Sequence, residues 1–248
     1  MQEQSLFTIG GNNKISYNVD FSNTLEISRS KKSDFKPILR YNNEKFRFLI
    51  FTDFTALDFD IFMCLCFAAN EKGNLKIKIS FEDLNFLMDR GENQKINKNA
   101  KRLCQKFNDF AEKATKTIIK ITESNGNFDT NTYTGFFDFI KVYEKEKIII
   151  VQFNDLMVSV LNVFVDNYTK LELKQYCKLQ SKYAKQLYAL LISNLYISEK
   201  IGLVKFSKDE LIKYLSLQKL KLQQESDFDK ILDNAKELIK TLIYTIKN

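Results

Sequence analysis

A short strand that leads into a serine-capped helix occurs twice in this sequence. The two copies are Lys78–Leu84 and Lys205–Leu211, with a Ser, two acids and a Leu in matching places. Ser is a favoured N-cap, and acids in the first turn suit the positive end of the helix dipole. Each copy follows a long apolar helix pattern and precedes another amphipathic one. We therefore predict two copies of one module, with Ser80 equivalent to Ser207.

Three helical patterns followed by β-type segments predict a winged helix for the first copy. The helices are expected at Thr55–Asn70, from Ser80 to near Asp89, and at Lys95–Ala114. The predicted strands are rich in β-branched and aromatic residues. They are Phe46–Phe51, Lys76–Ile79, Thr117–Thr122, Tyr133–Tyr143 and Lys147–Phe153. A further helix is expected after the cap residue Asn154.

The second copy is expected to begin with an apolar helix at Ser181–Tyr196 and to end with a helix at Asp227–Thr241. The predicted fold class is α+β and helix-rich, with two tandem winged-helix domains related by internal duplication. Residues 1–45 are assigned to an N-terminal arm, 46–167 to the first domain and 168–248 to the second. Because few residues follow Thr241, we expect the second domain to have a shortened wing.

The chain contains no histidine, which excludes Ser-His-Asp and Cys-His nucleophilic sites and imidazole metal ligands. It also has no P-loop and no GxGxxG motif. The pair Asp58 and Asp60 is read as helix-start residues. The sequence thus predicts a protein that is not an enzyme and has no catalytic residue, metal or cofactor.

The four cysteines form no CxxC pair and are expected to be free, mostly buried thiols of a reducing cytoplasm. The N-terminus does not have the pattern of a signal peptide, and no apolar stretch is long enough to span a membrane. We therefore expect a cytoplasmic protein with no membrane partner.

The formal net charge is +7, and one predicted helix concentrates cations on the face opposite its apolar stripe. No acid occurs between residues 93 and 108, and cations spaced along a helix can match DNA phosphates. The alternative is a merely solvated lysine face. The candidate DNA-contacting residues of this helix are Lys95, Lys98, Lys101, Arg102, Gln105 and Lys106.

Candidate DNA contacts in the second domain are of two kinds. Lys182, Lys185, Lys205 and Lys208 are placed where the first helices of such a domain approach the phosphate backbone. Lys230, Asn234 and Lys240 lie on the last helix, where Lys and Asn side chains can read guanine and adenine edges. The acids Asp229, Asp233 and Glu237 share that helix; they would repel phosphate or accept from cytosine amino groups.

The segment Leu179–Leu191 resembles the SKY-x-x-x-LY-x-LL segment of plasmid replication initiators with two winged-helix domains. Residues 136–139, 148–153 and 227–235 resemble other parts of the same family, so the likeness covers roughly residues 50–241. The resemblance implies monomers that bind directly repeated origin DNA (iterons) and start replication. It also implies homodimers that repress their own gene, in equilibrium with monomers, and host replication proteins as partners.

Two other functions stay open at this point. One is a winged-helix transcriptional repressor without a replication role, and the other is a structural, dimeric interaction protein whose positive charge is incidental. Binding to directly repeated DNA would favour the initiator, and binding only to an inverted repeat would favour the repressor. No binding to DNA at low salt would favour the interaction protein.

Overall fold

The computed structural model describes most of the central part of the chain and shorter pieces at both ends. The described residues are 4–9, 13–18, 24–25, 36–46, 49, 51, 53–72, 76–88, 100–124, 129–161, 168–197, 206–215 and 228–237.

Nine helices and ten strands lie within the described residues. The helices are α1 (Asn43–Phe46), α2 (Ala56–Lys72), α3 (Phe81–Leu87), α4 (Ala100–Lys116), α5 (Asp155–Leu161), α6 (Leu173–Lys178), α7 (Lys182–Ile197), α8 (Lys208–Tyr214) and α9 (228–237). The strands are β1 (Gln4–Ile9), β2 (Asn13–Asn18), β3 (Thr24–Leu25), β4 (Ile38–Asn42), β5 (Lys76–Ser80), β6 (Ile119–Ser124), β7 (Asp129–Thr134), β8 (Phe137–Tyr143), β9 (Ile148–Phe153) and β10 (Tyr168–Glu172).

A four-stranded sheet in the order β3-β5-β9-β8 supports the helices. β9 pairs antiparallel with β5 and with β8, and β3 runs parallel to β5. Ile77 and Ile79 of β5 lie opposite Val151 and Ile149 of β9, and all four side chains are buried. This alternation places one face of the sheet on the hydrophobic core. Two antiparallel hairpins, β1–β2 and β6–β7, pair separately.

Phenylalanine rings fill the centre of the core. The ring of Phe62 in α2 is 5.1 Å from Phe51, 4.9 Å from Phe136 and 6.5 Å from Phe153, measured between centroids. Phe54 joins the same cluster and touches Phe110 of α4 at 5.9 Å. Such tilted and edge-to-face pairs add to the stabilisation from burial. They connect α2, α4 and the sheet in one core.

The capped helix starts expected from the sequence are present. The backbone N–H of Asp83 donates to Ser80 Oγ at 2.9 Å, and that of Glu210 donates to Ser207 Oγ at 3.2 Å. The Ser207 N–H and hydroxyl both donate to the Glu210 carboxylate, and these bonds lower the pKa of Glu210. Asn154 Oδ1 likewise accepts from a backbone N–H at the start of α5.

From α2 onward the predicted order of helices and strands is present, with shifted bounds. Residues 95–99 of the predicted third helix lie outside the described residues, and α4 is described from Ala100. The segment expected as one strand at 133–143 is two strands, β7 and β8, which are separated at Gly135 and Phe136. The duplication itself stays a prediction, because residues 198–205 and the segment after 237, including the expected short wing, lie outside the described residues.

The predicted N-terminal arm and the strand after it differ from the structure. Residues 38–42 form β4, which pairs antiparallel with β10 and buries Leu39 and Tyr41 completely. Phe46 ends α1, and neither Leu49 nor Phe51 is in a strand, so the prediction of a strand at 46–51 is wrong. These side chains are apolar because they fill the core, not because they belong to a sheet.

The β4–β10 pair also bears on the boundary drawn near residue 168. β10 begins at that residue and pairs with β4, so the start of the predicted second domain shares a sheet with the strand that precedes α1. Most of the buried hydrophobic residues from Leu39 to Ala189, together with Ala235 of α9, form one continuous cluster, called the main core below.

All four cysteines are free and buried, as expected. Burial raises the pKa of Cys66 well above its usual value, and a hydrogen bond with Cys64 together with burial does the same for Cys177. Among the described residues, no group of three or more acids and cysteines is arranged to hold a metal ion. Within the same residues, no helix is both long and apolar enough to cross a membrane.

Candidate nucleic-acid interface

The cationic face of α4 consists of Lys101, Arg102, Gln105 and Lys106. The first three side chains are exposed and Lys106 is half-buried. The opposite side of α4 is apolar and packs into the main core through Leu103, Cys104, Phe107, Phe110 and Ala114. Apolar residues at helical spacing thus fix which way the cations point. Gln105 Nε2 donates to Asp109 Oδ1 at 2.8 Å, and Lys95 and Lys98 lie outside the described residues.

An ion pair holds the C-terminal end of α4 against the start of α2. Lys113 Nζ is 2.7 Å from Asp58 Oδ2, and that oxygen also accepts from the backbone N–H and hydroxyl of Thr55 at 2.7 Å each. Asp58 therefore caps α2 and fixes α4 at the same time. At the other side of α4, the rings of Phe107 and Phe81 of α3 are 4.8 Å apart.

A β-hairpin follows α4 directly and carries two exposed large hydrophobic side chains. Ile118, just before β6, is 67% exposed, and Tyr133 of β7 is 65% exposed. Tyr133 lies opposite Lys120 in the hairpin. This hairpin pairs separately from the four-stranded sheet. The sequence reasoning missed both residues, since it placed Tyr133 within one continuous strand.

α7 presents one of its two candidate cations in part and the other not at all. Lys182 is half-buried, with its Nζ 4.9 Å from the centroid of the Tyr183 ring. Lys185 is 0% exposed. Its Nζ lies 2.5 Å from Asp60 Oδ1 and donates to the Tyr176 carbonyl oxygen at 2.7 Å. The prediction that Lys185 contacts phosphate is therefore wrong.

The burial of Lys185 has a simple structural cause. Residues 184–190 of α7 are all buried, because this helix is covered on more than one side. One side packs into the main core, and Tyr183 at its start packs against a second cluster, called the C-terminal cluster below. That cluster is built on Leu215 and Phe228. A helix buried in this way has no single polar face from which a lysine could reach solvent.

α8 and α9 form the second group of candidate contacts. Lys208 is exposed at the start of α8, and its Nζ lies 5.5 Å from the centroid of the Phe228 ring of α9. In α9, Phe228 and Ala235 are buried, whereas Lys230 and Asn234 are exposed. Three acids of α9 are exposed on it as well: Asp229, Asp233 and Glu237.

The structure thus places the candidate residues in two groups on different helices. The first group is the cationic face of α4, and the second is Lys208 with Lys230 and Asn234 on α8 and α9. Lys205 and Lys240 lie outside the described residues. Lys113, which holds α4 against α2, was not among the residues selected from the sequence. Its position next to the buried Ala114, at the flank of the apolar stripe, is the signal that could have indicated it.

Three comparisons with known proteins agree with one another. A family model described as "Initiator Replication protein, WH1" matches residues 38–192, from β4 into α7. The "Probable replication protein rep" of Bifidobacterium longum (strain NCC 2705) is 26% identical over 198 residues, which is 79% of this chain. The chain spans 61% of the length of that relative.

A solved structure has a similar fold. It is the Pi initiator protein in complex with iteron DNA, with a TM-score of 0.51 and 16% sequence identity over 73% of each chain. The mixed helix and strand architecture described above is therefore similar to the winged-helix fold of that protein.

Proposed function

The chain belongs to the initiator replication protein family, and from this membership we propose that it binds directly repeated origin DNA and starts plasmid replication. The observation that carries the proposal is the exposed cationic face of α4 on a core of the family's fold. The similar solved structure is a complex with iteron DNA, which supports duplex DNA as the partner. The function needs no catalytic residue, metal or cofactor.

The two groups of exposed side chains have different roles in this proposal. Lys101, Arg102 and Lys106 bind phosphates, which gives affinity without sequence preference. Lys230 and Asn234 on α9 contact base edges in the major groove, which gives specificity. The acids of α9 keep that helix from binding phosphate strongly. The protein is further proposed to form homodimers in equilibrium with monomers, to work with host replication proteins and to act in the cytoplasm.

Removing charge from the α4 helix is expected to weaken binding on every DNA. Each phosphate contact contributes about 0.9 to the slope of log affinity against log salt. Replacing Lys98, Lys101 and Arg102 by Ala should therefore flatten the slope by roughly two to three. The measurement is a fluorescence-anisotropy titration at four or more salt concentrations.

The matched control for that measurement removes three exposed lysines elsewhere. Lys36, Lys170 and Lys178 lie just before β4, in β10 and in α6. Their replacement by Ala lowers the net charge by the same amount and should leave the slope as it is. If log affinity depends on log salt with the same slope in both triple variants, the α4 cations do not bind phosphates and form only a solvated surface.

Changes on α9 are expected to affect specificity. Asn234→Ala and Lys230→Ala should each lower affinity for the cognate repeat by about 10-fold or more, with little change on random DNA. Both duplexes are titrated at one fixed salt concentration. Lys236→Ala is the control on the same helix, since its Nζ is 3.2 Å from Asp233. Equal losses on both duplexes would mean that α9 only holds phosphate.

The proposed function is tested with duplexes that carry direct repeats. The probe is the DNA next to the gene, in its natural form and with the repeats scrambled, and the assay is a gel-shift titration together with replication of a plasmid that carries the natural form. Salt-dependent binding to the natural duplex and replication of the plasmid are expected. Binding to an inverted repeat alone, without replication, would show a repressor, and no binding at low salt would refute both functions.

A further inference from the structure

Two carboxylates of α2 each hold a lysine from a different helix. Asp58 and Asp60 are two residues apart, so their side chains leave the helix about 200° apart. Asp58 binds Lys113 of α4 and Asp60 binds Lys185 of α7. α2 itself is buried along residues 58–69, which makes it the central helix of the core. It therefore joins α4, which carries the first group of DNA contacts, to α7, which packs against the helices that carry the second group.

The Asp60–Lys185 pair is removed from solvent entirely. Both side chains are 0% exposed, and the Lys185 ammonium also lies 4.5 Å from the centroid of the Tyr176 ring. Transfer of two charges from water to such a site costs several kcal/mol per ion, and well-packed apolar residues in their place are often neutral or stabilising. Net stabilisation is therefore a poor explanation for this pair. Its hydrogen bonds are directional, and they fix the rotation and the axial position of α7 on α2.

α7 transmits that position to the C-terminal helices. Gln186, the residue after Lys185, donates from Nε2 to the Tyr214 carbonyl oxygen of α8 at 3.3 Å. Tyr183 packs against the C-terminal cluster, which contains Phe228 of α9. Near the other end of α7, the Ser193 and Tyr41 hydroxyls are 3.2 Å apart, which ties the helix to β4. A shift of α7 on α2 would thus move α8 and α9 relative to α4.

We propose that Asp58 and Asp60 are positioning residues, which set the placement of α4 and of α9 relative to each other through Lys113 and Lys185. Neither carboxylate touches DNA. Together they determine the distance along the DNA between the phosphates that α4 binds and the bases that α9 contacts. The inference rests on the proposed function, since it assigns the two DNA-contacting surfaces to α4 and α9.

The first experiment measures the geometry without DNA. Spin labels are attached at Asn108→Cys on α4 and Asp229→Cys on α9, both exposed positions, and the distance distribution is recorded by double electron–electron resonance. Replacing the pair by apolar residues, Asp60→Leu with Lys185→Met, is expected to preserve the fold. The distribution of distances between the two labels should become wider by about two-fold or more, because the directional hydrogen bonds are lost.

A matched control has the same substitutions at an exposed ion pair. Glu112→Leu with Lys116→Met removes a surface pair of α4 with an N–O distance of 2.5 Å, and its distribution should equal that of the parent. An unchanged distribution in the Asp60/Lys185 variant would overturn the proposal. Loss of the helical circular-dichroism signal in that variant would also overturn it, because the pair would then be a requirement of the fold and not a separable positioning element.

The second experiment uses DNA. Its outcomes distinguish a failure of the positioning role from a failure of the proposed function. A duplex selected by the parent protein from a random library is footprinted, and one to three base pairs are inserted between the segments protected by the two surfaces. The insertion should lower the affinity of the unsubstituted protein by about 10-fold. It should lower the affinity of the Asp60/Lys185 variant by less than about 3-fold, and the slope of log affinity against log salt should be the same for both proteins. Equal losses in both proteins would overturn the positioning role. Selection of no duplex by the parent would refute the proposed function, and the resonance experiment would still decide the inference.

Discussion

Replacement of Lys185 by Met alone is expected to lower the free energy of unfolding by about 3–5 kcal/mol. The variant takes the lysine away from the buried Asp60 carboxylate and from the Tyr176 carbonyl oxygen, which solvent does not reach. The cost therefore comes from the charge that remains in the core and far exceeds that of losing an exposed ion pair. Urea unfolding followed by circular dichroism gives the free energy.

The double variant shows whether the cost has this origin. Asp60→Leu together with Lys185→Met removes both charges, and its free energy of unfolding should return to within about 1–2 kcal/mol of the parent value or exceed it. The difference between the double variant and the sum of the singles is the coupling energy of the pair. A loss below about 1 kcal/mol for Lys185→Met would contradict the burial of this side chain in the folded protein.

Phe62→Ala is expected to lower the free energy of unfolding by about 3–5 kcal/mol as well. Phe62 is 0% exposed, and its ring contacts phenylalanines of the sheet, of the link between β7 and β8 and of the segment before α2. Truncation loses the burial of the ring and leaves a cavity that neighbours on three different elements cannot easily fill. The same urea titration measures the effect.

Tyr133→Ala is the control for an aromatic residue of similar size. Because that side chain is 65% exposed, its truncation should change the free energy of unfolding by no more than about 0.5 kcal/mol. A similar, small loss for both variants would mean that the ring cluster around Phe62 is not the centre of the core.

Local patterns in the sequence predicted the helix starts well, because the interactions that make them span only three or four residues. The caps at Ser80, Asn154 and Ser207 all occur, and Thr55 and Asp58 form a further one at the start of α2. The apolar stripe of α4 likewise predicted which of its side chains point outward.

Interactions between distant segments could not be predicted in this way. β4 looked like part of an arm because five residues of mixed character have no partner nearby in the chain, and their partner β10 is more than a hundred residues away. Lys185 looked exposed because a helix pattern with one apolar face leaves its lysines in water. α7 departs from that pattern, since it is covered by two clusters and a buried carboxylate compensates the ammonium.

The candidate site followed from the sequence in part. The cations of α4 and the polar residues of α9 could be selected from charge and periodicity. The pairs that hold these helices could not, because each joins residues 55 or 125 positions apart. The exposed Ile118 and Tyr133 were also beyond reach, since only the pairing of β6 with β7 shows where the hairpin begins.

The pairing of β4 with β10 has a consequence for how the protein is made. Asn43, which follows β4, and Thr169 of β10 are 126 positions apart, and their side chains are hydrogen-bonded in the buried interior. At about 5–20 residues per second, the ribosome needs roughly 6–25 s between them. During that time β4 has an open edge, and contacts of such long range also slow folding once the chain is complete. Pairing of this open edge with another chain, which leads to aggregation, therefore competes with the late arrival of β10.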